Sequence, residues 1–162
     1  MAFSLQVDGL GELMQKMKQL PEKAVDVAAL ALYDGAGVVA DKVSQATRGI
    51  VTEPFKYAAG GKKRKPSPEE KAIIQKAPKG IAKFRKDGIS VQTSVGMQNA
   101  GYAQLNGVTK PIPQIANAIN HGTSFMQAQP FLRKAFSQSK KAAEAAIEAG
   151  FKKHEDMLDP SK

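Results

Sequence analysis

Asp87-Gly88-Ile89-Ser90-Val91-Gln92-Thr93-Ser94-Val95 decides the fold class of this chain. Ile89, Val91, Thr93 and Val95 take every second position, with Ser90, Gln92 and Ser94 between them. A period of two marks a strand with one buried and one wet face. Asp87-Gly88 supplies the turn that precedes it. This is the clearest strand in the chain, so the fold must combine a sheet with the helices on either side. Tyr102–Leu105 is expected to pair with it as a hairpin across Asn99-Ala100-Gly101. Pro111 and Pro113 then interrupt, and Ile115–Asn120 fits either a strand or a short helix.

Toward the N-terminus, Phe3, Leu5 and Val7 alternate with Ser4 and Gln6 and predict a short strand closed by Asp8-Gly9. A helix follows from Glu12, with Leu13, Met14, Met17 and Leu20 at helical spacing. Pro21 breaks it or restarts it, as proline does at a first helical turn. A longer helix is expected over Glu22–Ala46, with the stripe Ala28, Leu32, Gly35, Val39, Val43 and Ala46. Gly35 and Gly37 each weaken a helix interior by about 1 kcal/mol relative to alanine; close packing against a neighbouring helix accounts for both. Toward the C-terminus, Pro130 opens the longest helix, whose apolar face is Leu132, Ala135, Phe136, Ala143, Ile147, Gly150 and Phe151. The architecture that follows is α+β: a small antiparallel β-sheet packed by two long α-helices, with a basic extended insertion.

The 162 residues are expected to form one domain. Its parts are a strand and helices (1–50), a basic Pro/Gly-rich insertion or arm (51–88), a β-rich region (89–128) and the C-terminal helix (129–158). Hydrophobic residues make up 42% of the chain, enough to fold, and much of this is alanine. The core should therefore consist of thin, closely packed helices. There is no cysteine, which excludes disulfides, thiolate metal sites and a cysteine nucleophile. No apolar run approaches the ~20 residues that span a bilayer, and residues 1–8 lack the pattern of a signal peptide. No membrane partner is expected, and synthesis in the cytoplasm is.

The formal net charge is +9. From Glu53 to Ser90 there are 11 Lys and Arg against Glu53, Glu69, Glu70 and Asp87, so that stretch carries +7 of it. Pro54, Pro66, Pro68, Pro78 and Gly60-Gly61 rule out one continuous element. Ser67 can cap a short helix to Lys76, with Pro68 at its first position and Glu69 and Glu70 in its first turn. The run Lys62-Lys63-Arg64-Lys65, continued by Lys83, Arg85 and Lys86, is the strongest charged feature. Read as an exposed arm, it contacts DNA phosphates, contacts an acidic protein, or is merely solvated. Phe55, Tyr57 and Phe84 flank these cations and either meet a partner or tack the loop to its own domain.

Catalytic patterns are missing. There is no HExxH, calcium loop, phosphate loop or GxSxG. Gly9-Leu10-Gly11 lacks the third glycine of a dinucleotide fingerprint. The two histidines, His121 and His154, have no orienting carboxylate in a triad-like pattern; the first reads as a turn residue, the second as solvated surface. No enzyme activity, cofactor or metal is expected.

The segment Ile119-Asn120-His121-Gly122-Thr123-Ser124-Phe125-Met126-Gln127-Ala128-Gln129-Pro130-Phe131-Leu132-Arg133-Lys134-Ala135-Phe136 resembles the C-terminal signature of the neck and tail-completion (head–tail joining) proteins of long-tailed phages. The shared features are Gly122-Thr123, the run Met126–Ala135 and a Lys/Glu/Ala helix after Phe136. Gly9-Leu10-Gly11-Glu12-Leu13, Pro21 and the Ala-rich helix to Ala46 are similar to that family's opening. The likeness covers about residues 5–50 and 89–155. It departs at Thr47-Arg48-Gly49-Ile50, at Asn120-His121 and in the length of the basic insertion.

The resemblance implies a structural virion protein of the neck and tail, assembled in the host cytoplasm. The chain would form a homo-oligomeric ring, a hexamer, between the head connector and the tail tube or terminator proteins, with genomic DNA passing through its lumen. The alternative is a basic DNA-binding protein of a phage or mobile element. Within the run, Gly122 permits a sharp turn, while Thr123 or Ser124 satisfies local backbone groups. Pro130 presets the helix start. Phe131, Leu132 and Phe136 lock the helix to the sheet, and Arg133 is placed to bridge to a carboxylate. Core packing explains Phe125, Gln127 and Gln129 less well, which leaves them for a partner, and Met126 completes the assembly motif.

Overall fold

The computed structural model describes residues 21–57, 60–81, 85–87, 90–97 and 100–158, except for the side chains of 21, 22, 86, 87 and 90. The expected strand at Phe3–Val7, the helix from Glu12, and Phe84 and Lys83 lie outside them. The fold is α+β. Helix α1 runs Pro21–Arg48 and α2 Pro68–Lys76. The strands are β1 Gly80–Ile81, β2 Arg85–Asp87, β3 Ser90–Gln92, β4 Val95–Gly96, β5 Tyr102–Leu105 and β6 Val108–Pro111. Then come α3, Ile112–His121, and α4, Phe131–His154, which tightens into a 3₁₀ turn at Glu155–Leu158. No helix among the described residues is long and apolar enough to cross a membrane.

The chain divides into two compact units. The first comprises residues 1–39, 81–95 and 139–162. Its core is Ala24, Val27 and Ala31 of α1 against Ile147 and Phe151 of α4 and Leu158, with Ala28 and Leu32 on the flank. Gly35, Val39 and Val43 of α1 are buried as expected, but at its N-terminal end the buried stripe is turned by one residue, from the expected Ala28 and Leu32 to Val27 and Ala31. The reason is the small-residue contact. A Cβ on Gly35 would collide with Ile147, and one on Gly150 would lie 2.8 Å from the Cα of Ala31. Backbones this close leave room only for small residues at the seam. Gly37 has nothing within 4 Å of a built Cβ, so close packing explains Gly35 and not Gly37. In this unit β2 and β3 pair antiparallel, Lys86 opposite Val91.

The second unit comprises residues 40–80 and 96–138. Its buried apolar residues include Val43, Ile50, Ile74, Leu105, Ile115, Ile119, Met126, Phe131 and Ala135. Helix α2 opens as expected: Ser67 caps it, Pro68 takes the first position, and Glu70 closes a capping box. Segment 112–121 resolves as a helix, its Ile112, Ile115, Ala116 and Ile119 buried along one face.

The long strand expected over Ile89–Val95 is broken into β3 and β4, and the sheets of the described residues are only two-stranded. Tyr102–Leu105 pairs with Val108–Pro111, not with the Ile89–Val95 segment. The deciding element is Asn106-Gly107, with φ of 52° and 76°. Two successive positive φ values form the two-residue turn whose twist suits a hairpin.

Candidate functional site

The two stretches singled out in the sequence, the basic run and the Gly-Thr to Phe-Leu-Arg run, meet in the second unit. Arg64 and Met126 form a parallel β-bridge. The Arg64 N–H donates to the Phe125 carbonyl at 2.9 Å, and the Gln127 N–H donates to the Arg64 carbonyl at 2.8 Å. The Gln127 amide also donates to the Lys63 carbonyl at 3.2 Å. Strand alternation then sets the faces. Met126 is buried on the side of Arg64, whereas Phe125 and Lys63 are exposed.

Arg64 is the hub. Its guanidinium makes two bonds to Glu70, of 2.7 and 2.6 Å. It donates as well to the Lys65 carbonyl at 3.0 Å, and lies 5.0 Å from the centroid of the Phe55 ring. Phe55 in turn meets Tyr57 edge to face at 5.3 Å. The Arg64 and Glu70 side chains are only 13% and 4% exposed. Burial pushes the Glu70 carboxyl up, but the Arg64 guanidinium and the Ser67 groups outweigh it and hold the carboxyl below its usual range. The hydrogen bonds to Glu70 raise Arg64 further.

Glu53 completes the brace. Its carboxylate accepts the Lys65 N–H at 2.6 Å, and its own N–H donates to the Pro66 carbonyl at 3.0 Å. The Lys65 N–H is the main reason its carboxyl is also held low.

The basic run is therefore not the free arm read from the sequence. Arg64 is sunk and Lys65 is half-buried; Lys62 and Lys63 remain exposed. The physical reason is Glu70. A carboxylate at the first turn of α2 recruits the one side chain of the run that offers a planar, two-pronged donor. Of the remaining cations, Arg85 is exposed and belongs to the first unit, as does Lys86 of the same strand.

The turn before α4 is built from the other run. Gly122 has φ 75° and ψ 175°, a region essentially restricted to glycine. A Cβ there would stand 2.9 Å from both the Met126 carbonyl oxygen and the Ala128 nitrogen. The Thr123 hydroxyl accepts the N–H groups of Phe125 and Met126 at 3.1 and 3.0 Å, and the Thr123 N–H donates to the Met126 carbonyl at 3.0 Å. The buried Asn120 accepts the Leu132 N–H at 3.0 Å, satisfying one of the open donors at the head of α4. Its amide also lies 3.1 Å from the His121 ring.

Gln129 spends its whole amide on Val51. It accepts the Val51 N–H at 2.8 Å and donates to the Val51 carbonyl at 2.7 Å. Both glutamines left over from core reasoning thus hold their own chain. Beside Gln129 lies an open groove of about 370 Å³, lined by Ala46, Ile50, Val51, Pro130, Phe131 and Lys134 among others. Phe131 is buried and Leu132 half-buried, and Arg133 is exposed on α4.

What stays exposed around the brace is aromatic and cationic. Tyr57 is 86% and Phe125 65% exposed, with Phe55 also open to solvent. No group of three or more His, Asp or Glu that could hold a metal gathers among the described residues. Sequence reasoning missed the Arg64–Glu70 pair, although the capping-box spacing already placed Glu70. Comparisons with protein-family models, curated proteins and solved structures returned no match.

Proposed function

We propose that this chain is a structural subunit of a phage neck or tail-completion complex, acting by binding and not by catalysis. The observation that carries this reading is how the run resembling that family is used. Its turn (Gly122, Thr123), bridge (Met126 to Arg64) and cap (Asn120 to Leu132) are all spent on holding the run in place. Phe125 and Arg133 are left at the surface. A frame fixed by internal bonds that presents an aromatic ring and a guanidinium outward suits a contact between proteins. In this reading copies of the chain close into a ring, a hexamer, between the connector and the tail tube or terminator proteins. The genome passes through the lumen. The subunits are made in the host cytoplasm and end in the virion.

Electron cryomicroscopy of particles carrying a labelled copy of the chain tests this. The expected result is cyclic density at the neck that accommodates several copies. A map in which the label is missing from the particle overturns it. A basic DNA-binding protein is the second reading, and what favours it is that Lys62 and Lys63 are exposed. Salt-sensitive duplex binding, with a slope of about −0.9 per neutralised phosphate in log K against log salt, would mark that outcome.

A further inference from the structure

The geometry points to the aromatic and lysine surface of the 53–66 loop and Phe125 as a docking face for an acidic protein segment with apolar anchors. This rests on the reading of the chain as an assembly protein and names the partner chemistry. Three exposed rings, Phe55, Tyr57 and Phe125, are carried on the segments that Arg64 ties together. Exposed aromatics on a braced frame are the kind of residue that anchors a protein contact.

Charge sets the sign of the partner. Two of the three carboxylates that flank the loop in sequence are engaged within the unit, Glu70 by Arg64 and Ser67, and Glu53 by the Lys65 N–H and the Lys56 ammonium at 3.4 Å, while Glu69 is exposed on the first turn of α2. Lys62 and Lys63 stand exposed with no ion pair among the described residues. The surface at Lys62 and Lys63 is therefore positive, with Glu53 and Glu70 committed elsewhere, and it fits carboxylates on an incoming partner. A second copy of a chain of net charge +9 is disfavoured as that partner by overall repulsion.

Nucleic acid fits less well for two reasons. Arg64, the side chain best shaped for phosphate, is committed to Glu70 on both prongs. One face of Phe55 is covered by that guanidinium and Tyr57 meets the ring edge to face, so the pair does not offer two open faces for bases to stack on.

The test uses the full chain and fluorescent probes in anisotropy titrations: a peptide alternating glutamate and leucine, an all-glutamate peptide, and single- and double-stranded DNA oligonucleotides. The Glu/Leu peptide should bind more tightly than the all-glutamate peptide. The double variants Lys62→Glu/Lys63→Glu and Tyr57→Ser/Phe125→Ser should each weaken that binding at least tenfold, with melting temperatures near wild type. Lys110→Glu, on β6, should change it little.

Several results overturn the proposal: no peptide binding, peptide binding indifferent to both double variants, or DNA bound more tightly than either peptide and released by the lysine variant. A change in the native mass of the isolated chain in either double variant overturns it in favour of a contact between copies. The two readings fail separately. A wild-type chain found at the neck with no peptide binding removes only the docking face. Peptide binding that responds to the variants, in a chain missing from particles, removes only the neck.

Discussion

Arg64 and Glu70 lie six residues apart and join by two parallel hydrogen bonds of 2.7 and 2.6 Å, both side chains largely withdrawn from water. Glu70 at the same time accepts the Ser67 N–H at 2.7 Å. One carboxylate therefore fixes the start of α2 and the position of the bridge to Met126. Replacing it with alanine removes the capping box and leaves a guanidinium unpaired. Breaking a buried pair from one side costs about 3–5 kcal/mol. Glu70→Ala should lower stability by about 3 kcal/mol, read as a drop in the urea midpoint, whereas Glu69→Ala, on the exposed side of the same turn, should change it by less than about 0.5 kcal/mol.

The same pair gives a pH dependence. The Glu70 carboxyl is lower in the folded chain than its ordinary 4.5. A depressed carboxyl contributes stability that is complete above the unfolded value and is lost as pH falls through the folded one. Urea midpoints should thus hold level from neutral pH down to about 5 and fall below 4.5. In Glu70→Gln that part of the decline should shrink. A variant that follows the wild-type curve throughout would show that other carboxylates govern it.

Gly122 admits no side chain. Its backbone angles are a glycine preserve, and backbone atoms of Met126 and Ala128 occupy the place of a Cβ. Backbone strain of this kind costs about 1–3 kcal/mol before any clash is counted. Gly122→Val should destabilise by at least that much and should abolish particle completion in a complementation assay. A variant that melts like wild type would show that the turn can be rebuilt.

Two helical glycines should behave oppositely. Gly37→Ala meets open space and should stabilise α1 by about 0.5–1 kcal/mol through the unfolded chain and helix propensity. Gly35→Ala drives a methyl group into Ile147 and towards the Ala143 carbonyl and should destabilise. Paired thermal melts read both signs at once.

Gln129→Ala removes the amide that spans both backbone groups of Val51. The Val51 N–H should then exchange with solvent deuterium at least tenfold faster, while the Leu132 N–H, held by Asn120, keeps its protection. Equal acceleration at both would mean that the whole head of α4 had opened.

Short-range chemistry made much of this legible. Ser67-Pro68-Glu69-Glu70 announced α2, because a cap, a proline and two acids satisfy the same orphan donors. The long helices followed from period and composition. The hairpin was misplaced because alternation in Ile89–Val95 outweighed Asn106-Gly107, although only the latter carries two residues suited to positive φ. The middle of the α1 stripe, Gly35, Val39 and Val43, is buried as expected, but its ends were read one residue out, because alanine gives hydrophobic periodicity little contrast. The fate of Arg64 was not legible. Its bridge partner lies more than 60 positions along the chain, and no local pattern distinguishes the one cation that will be sunk from the three beside it.

The bond between the Lys63 carbonyl and the Gln127 amide spans 64 positions, and this orders events during synthesis. The ribosome must have released the chain beyond Gln127 before Lys62-Lys63-Arg64-Lys65 can take its seat. Until then Arg64 has Glu70, six positions away, as a partner, but lacks the backbone bonds to Phe125 and Gln127 that fix the run. A nascent chain halted before Met126 and a finished one would thus hold the same basic sequence with different degrees of backbone order.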